Sequence, residues 1–323
     1  MAQPPVQGPQ GLTSPVLIAP LGGCPGQNYL SLALAHALAA QGCEPILAAR
    51  RGWGHGRFEE CRESRFQIGN NLEDTIRAHS GATVLLVECE HPSWLRRARD
   101  AGAGLVLEVP MGDMIREEIL TREYWRGLDG AVMLCDLPEL TAFLAPYPTQ
   151  RWDLDLRPIL GGRRHVGGGG ILSLCPIEGN GMKKGSDLVC ASARALRIEG
   201  CAVPWTITMD RPTWDVQAAV DAGVLTWVPV LPREELLDLL ASADLLVCLE
   251  RAGGYGMTCR EARAMGVPVL APAFAPFAEA ATYPVAPRVF APGPCGLMPW
   301  RSVHPADVVG TILMALARTH AGG

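Results

Sequence analysis

Short runs of consecutive apolar residues recur along the chain, most followed by a glycine- or proline-rich turn and then a stretch with helical spacing. In the first half the runs are Val16–Ala19, Pro45–Ala49, Thr83–Cys89, Gly104–Val109 and Gly130–Leu134. The helical stretches between them are Tyr29–Gln41, Trp94–Ala101 and Leu137–Phe143. The second half repeats the grammar with strands at Ile171–Leu174, Trp205–Met209, Val224–Val228, Asp244–Cys248, Val267–Ala271 and near Arg288–Phe290. Its helices are Leu188–Ile198, Arg233–Ala241, Met257–Met265 and a last one from Pro305 through Ala317. Strands that are apolar throughout are buried on both faces, which is the condition of a parallel sheet covered by helices. The pattern therefore predicts an α/β protein with two doubly wound domains.

The chain has 323 residues, a length that suits two domains of about 150 residues better than one core. Residues 1–14, rich in Pro, Gln and Gly, read as a disordered tail without a signal-peptide pattern. Residues 15–160 form the first predicted domain, 161–304 the second, and 305–323 a terminal helix placed to pack back toward the first. A linker is expected over roughly 155–169, where the glycines of Gly167–Gly170 permit hinge motion. No apolar run reaches the ~20 residues of a membrane span. The 11 cysteines are scattered, several within apolar runs, which fits a reduced, cytoplasmic protein without structural zinc.

Charge changes the picture at one place. The net charge of −5 gives no general attraction to nucleic acid, but 26 of the 28 basic side chains are arginine. The two lysines are adjacent, Lys183-Lys184, at the end of the loop Cys175-Pro-Ile-Glu-Gly-Asn-Gly-Met-Lys-Lys-Gly185. Ser186 then serves as the expected N-cap of the next helix. A glycine-rich loop ending in lysine at a helix start suits a diphosphate, because free N–H groups and the dipole add to the full charge of the ammonium.

Other candidate residues sit at the carboxyl ends of predicted strands, where ligands bind in doubly wound sheets. In the first half these are Gly22 and Gly23 of the first turn, Glu90 and His91 after Thr83–Cys89, and Asp113 after Gly104–Val109. His91 is suited to hydrogen-bond a sugar hydroxyl or a reacting oxygen, and Asp113 to orient an acceptor. In the second half Asp244–Cys248 runs into Glu250, Arg251 and the turn Gly253-Gly254-Tyr255-Gly256.

From Gly253 onward the residues resemble glycosyltransferase family 4, whose members carry a glutamate, Gly-Phe-Gly, and a second glutamate eight positions after the first. Gly254-Tyr255-Gly256 and Glu261-Ala-Arg-Ala-Met-Gly-Val-Pro-Val269 match that pattern, Arg251 stands at a commonly basic position, and Lys184-Gly185-Ser186-Asp187 matches the diphosphate-binding lysine. Ala275-Pro-Phe-Ala-Glu279 looks like a later acidic segment of short members. The resemblance implies the GT-B fold, two Rossmann-like domains facing a central cleft. It implies transfer of a sugar from a UDP- or GDP-type nucleotide sugar to a hydroxyl acceptor, with retention and without a metal or other cofactor. Lys184, with His91 and Asp113, would carry the chemistry. Lys183, Lys184, Gly254, Tyr255, Gly256, Met257 and Glu261 would hold the nucleotide, Glu261 through the ribose. Gly22, Gly23, Glu90, Glu250, Arg251 and Gly253 would face the donor sugar or the acceptor.

Two positions depart from the family. Gly253 stands where the first glutamate belongs, with Glu250 three residues earlier. The arginine expected five residues before Lys184 is replaced in the Gly179-Asn180 region, leaving Lys183 to supply the second charge. The departures keep two alternatives open, a non-catalytic nucleotide-sugar binder and another GT-B enzyme such as an epimerase. The acceptor is not identified by these residues, a small molecule or glycan being expected. A modified DNA base is a minor alternative, suggested by the five arginines of Arg50–Arg65 beside Trp53 and Phe66 but opposed by the acidic balance.

Overall fold

The structure, a computed structural model, describes residues 12, 15–21, 25–49, 66–69, 71–88, 92–111, 121–175, 181–291 and 299–321. The chain divides into two compact units, Met1–Ile159 with Pro294–Met298 and Leu160–Gly293 with Pro299–Gly323.

Seven strands build the sheet of the first unit: β1 (Val16–Leu21), β2 (Pro45–Ala49), β3 (Gln67–Gly69), β4 (Thr83–Val87), β5 (Leu105–Val109), β6 (Gly130–Met133) and β7 (Thr149–Arg151). Their order is β3-β2-β1-β4-β5-β6-β7 and every pair is parallel. The order reverses between β1 and β4, the switch point of a doubly wound sheet. β2 and β4 are almost wholly buried, as their unbroken apolar runs require. The helix Pro25–Ala40 covers β1 and β2 with Leu30, Ala33, Leu34 and Leu38.

In the second unit β8 (Ile171–Leu174), β9 (Trp205–Thr208), β10 (Thr226–Val228), β11 (Leu245–Val247), β12 (Val269–Pro272) and β13 (Tyr283–Val285) follow the order β10-β9-β8-β11-β12-β13, again all parallel. Alternate residues of the same strand enter opposite cores. Ile171, Leu245, Val247 and Leu270 pack under the helices Ser186–Ile198, Trp214–Asp221 and Pro305–Ala321. Leu172, Leu246, Cys248, Val269 and Ala271 pack under Arg233–Ser242 and Met257–Met265. The terminal helix lies against Ser186–Ile198 and β13 within its own unit. A two-stranded antiparallel ribbon, β14 (Arg288–Ala291) and β15 (Trp300–Ser302), completes the unit.

The expected hinge reads differently in the structure. Gly167, Gly168 and Gly170 take positive φ, which suits glycine, but the segment is fastened to the second unit. The N–H groups of His165, Val166 and Gly169 donate to Met265, Ala241 and Ser242, and Asp244 accepts the N–H groups of Gly168 at 2.6 Å and Gly170 at 2.9 Å. A glycine run whose donors are all engaged is a docked strap rather than a free joint.

Candidate functional site

β8 and β11 are neighbours at the switch point of the second sheet, and the segments leaving their carboxyl ends meet. Gly181–Lys184 forms one helical turn, so the two lysines are helical rather than part of an open loop. Gly185, with φ 74°, breaks that turn and the helix Ser186–Ile198 starts behind it. Gly185 occupies the N-cap position and Ser186 lies inside the helix, so the serine does not cap. A Cβ at residue 185 would stand 2.1 Å from the carbonyl oxygen of Leu249, which fixes both the identity of Gly185 and the close approach of the two segments.

Three contacts join the lysine turn to the segment after β11. Arg251 N–H donates to the carbonyl of Lys183 at 2.8 Å. Its guanidinium holds Asp187 with two bonds, Nη1 to Oδ1 at 2.8 Å and Nη2 to Oδ2 at 2.6 Å, and the arginine side chain is only 7% exposed. Lys184 Nζ lies 2.7 Å from Glu250 Oε2, with the two side chains 17% and 10% exposed. The carbonyl of Arg251 also accepts the N–H of Arg301 on β15.

The glycine turn that follows explains the departure at residue 253. Phe277, fully buried, packs beneath it, and a Cβ at Gly253 would lie 2.5 Å from Phe277 Cζ. Gly256 caps the helix Met257–Met265 in the left-handed conformation and also faces that ring. The floor of the turn is thus filled by an aromatic from the Phe274–Glu279 segment, and no side chain fits at 253 without moving it. Tyr255 is buried, with the Arg260 guanidinium stacked 4.2 Å from its ring centroid, so the aromatic packs inward. Gly254 and Met257 are partly exposed.

Glu261, in the middle of that helix, is buried and accepts from Arg233 Nη2, the first residue of the helix Arg233–Ser242. Arg260 reaches Glu279 at 2.6 Å. The site therefore carries four ion pairs, Lys184–Glu250, Arg251–Asp187, Arg233–Glu261 and Arg260–Glu279, in which each of these cations already faces a carboxylate. Beneath them sit thiols. Burial pushes Cys175 well above the usual thiol range, with the Glu250 carboxylate adding to it, and its Sγ lies 3.7 Å from the carbonyl of Lys184. A hydrogen bond with Cys248, then burial, does the same for Cys259. These groups stay neutral thiols.

Gly22, Gly23, Glu90, His91 and Asp113 lie outside the described residues. Among the described residues of the first unit, Gln27 Nε2 donates to the carbonyl of Val87 at 2.7 Å, and Glu88 stands at φ 51°, a conformation few non-glycine residues take. The carboxylate of Glu108 on β5 is buried against Tyr124, whose hydroxyl donates to it at 2.7 Å. Asp153 and Asp155 stand in Asp-x-Asp spacing, and both are taken up by arginines. Asp155 holds Arg157 at 2.7 Å, and Asp153 lies 3.7 Å from Arg151. Among the described residues no group of three His, Cys, Asp or Glu is placed to hold a metal, and no helix is long and apolar enough to cross a membrane.

No protein-family model matches the chain, and no curated protein matches it. Solved structures do. A glycosyltransferase from Rickettsia africae ESF-5 superposes with a TM-score of 0.61 at 11% identity, over 94% of this chain and 87% of that one. The fold is GT-B. A putative UDP-N-acetylglucosamine 2-epimerase from Listeria monocytogenes shares it at a TM-score of 0.54 and 12% identity, covering 94% and 88%. TarM matches at 0.52 and 12% identity over 75% of this chain, which spans only 50% of TarM's length. A TarM mutant from S. aureus has been solved in complex with fondaparinux, alpha-GlcNAc-glycerol and UDP. At such identities the likeness establishes the GT-B fold, while the chemistry has to be argued from the residues of this chain.

Proposed function

We propose that the chain is a glycosyltransferase that moves a sugar from a UDP- or GDP-type nucleotide sugar to a hydroxyl acceptor. The observation that carries this reading is the meeting of the lysine turn and the glycine turn at the switch point of the second sheet, fastened by Arg251 to Lys183 and Asp187. Lys184, with Lys183 and the N–H groups of the 253–257 turn, is suited to the diphosphate. Lys184 would offset the charge that develops as the nucleoside diphosphate leaves, the form of catalysis that preorganised donors supply best. Glu261, oriented by Arg233, is suited to the ribose hydroxyls. His91 and Asp113 of the first unit are proposed for the acceptor side. Retention without a metal follows the family 4 resemblance. The solved TarM complex with UDP supports a uridine nucleotide as the first ligand to try.

The test is thermal shift with UDP, GDP and ADP, followed by incubation of a nucleotide-sugar panel with candidate acceptors. A shift that disappears in Lys184→Gln, together with acceptor-dependent release of nucleoside diphosphate, is expected. Binding without release would point to a non-catalytic binder. Sugar isomerisation without an acceptor would point to an epimerase, the reading that shares its fold with the Listeria protein. No shift with any nucleotide would overturn the assignment.

A further inference from the structure

Among the described residues the carboxylate that reaches Lys184 in the proposed diphosphate site belongs to Glu250, which the resemblance places only broadly, facing the donor sugar or the acceptor. Its Oε2 lies 2.7 Å from Lys184 Nζ, and the pair is largely shielded from water. Both amino groups of the neighbouring Arg251 guanidinium hold Asp187. The Glu250 carboxylate also acts on two thiols, Cys175, which burial keeps neutral, and Cys259, which a hydrogen bond with Cys248 and then burial keep neutral. Residue 253 cannot bear a rival carboxylate, since Phe277 fills that space. The Lys184 ammonium thus already faces the Glu250 carboxylate, and any phosphate that reaches Nζ comes close to that carboxylate.

We propose that Glu250 is a specificity-determining residue that selects the intact nucleotide sugar over the nucleoside diphosphate. This inference rests on the nucleotide-sugar reading above. An ammonium carries three donors, so Lys184 can hold Glu250 and a phosphate oxygen together. A phosphate esterified to a sugar brings one charge, and its sugar offers hydroxyls that donate to the carboxylate. A terminal phosphate brings nearly one charge more at neutral pH and no hydroxyl donor. At a separation of about 5 Å, that extra charge weakens binding by about fourfold in a water-like dielectric and by about two hundredfold at an effective dielectric of about 20, so tenfold is a conservative expectation. Glu250 thereby opposes retention of the product formed by the transfer.

Calorimetric titration of the full chain with UDP, UDP-glucose, GDP and GDP-mannose at pH 7.5 tests the proposal. Glu250→Gln is expected to shift the ratio of affinities by about tenfold toward the nucleoside diphosphate of the pair that binds, with the ligand-free melting temperature confirming the fold. A ratio within about threefold of wild type overturns the proposal while the nucleotide-sugar reading stands. Wild-type protein alone gives a second measurement. Near pH 5.5 the dianionic terminal phosphate takes up one proton, its second ionisation having a pKa of about 6, and the preference should narrow. A ratio unchanged between pH 5.5 and 8 also overturns the proposal. No binding of any of the four ligands removes the functional reading and this inference with it.

Discussion

Replacing Gly253 with alanine is the sharpest probe of how the glycine turn is built. The added methyl would sit 2.5 Å from Phe277 Cζ and 3.2 Å from Cε1, well inside the ~3.5–4.0 Å of ordinary carbon contact. The obstacle is a ring with no exposure, packed edge to face on Phe274 at 5.4 Å, so it cannot swing aside as a surface side chain would. Overpacking of this kind costs about 1–3 kcal/mol. Phe277→Ala alone should cost about 3–5 kcal/mol through the cavity it leaves. In the double variant the methyl enters that cavity, and the pair should be more stable than the sum of the singles by about 1 kcal/mol or more. A chain with two units need not unfold in one step, so the quantity to read is local. Hydrogen exchange of peptides from β11 and β12 under increasing urea supplies it. Strict additivity, or a Gly253→Ala variant within about 0.5 kcal/mol of wild type, would refute the packing argument. Gly253→Glu, which restores the family carboxylate, is expected to destabilise more than alanine and to gain no activity unless residue 277 is reduced as well.

Two further outcomes follow from the same region. Gly185→Ala combines a left-handed backbone with a Cβ 2.1 Å from a backbone oxygen, and it should destabilise the second unit by more than about 2 kcal/mol and abolish nucleotide-induced thermal shift; calorimetry showing a loss under about 1 kcal/mol would contradict the close approach. Thiol labelling read by peptide mass spectrometry should modify the half-buried Cys43 and Cys201 in the native protein and reach Cys175, Cys190 and Cys259 only on unfolding. Cys190, pushed up to about 11 by burial, should gain alkylation rate only in strong alkali. Prompt labelling of Cys175 at neutral pH would show the site's floor to be open.

The strands that position the site were legible because each is a dense apolar run. β2 and β8 agree with the sequence reading residue for residue, and so does the helix Met257–Met265, closed by left-handed Gly266. The helices Leu72–Ala78 and Trp214–Asp221 escaped, as did several short elements. β3 and β7 are three residues each with no buried position, and Arg122–Gly127 is a helix of six residues. In the site, the glycines, Lys184 and Glu261 carried local signals. Their partners did not, because Arg233 and Glu261 are 28 residues apart and nothing in the spacing announces that they meet. The missing carboxylate at 253 was visible in the sequence. Its cause, the ring of Phe277, depends on packing across a later segment.

Arg251 bears on how the protein reaches its folded state. Its backbone and side chain tie together Lys183, Asp187 and Arg301, segments that lie 64 to 68 residues away on one side and 50 on the other. Contacts of such sequence separation must offset the entropy of closing long loops, a cost that the local helices and strands do not carry. The glycine turn is thus built on contacts that raise the contact order of the second unit. A chain emerging from the ribosome would hold the lysine turn and the glycine turn before β15 arrives to complete the knot.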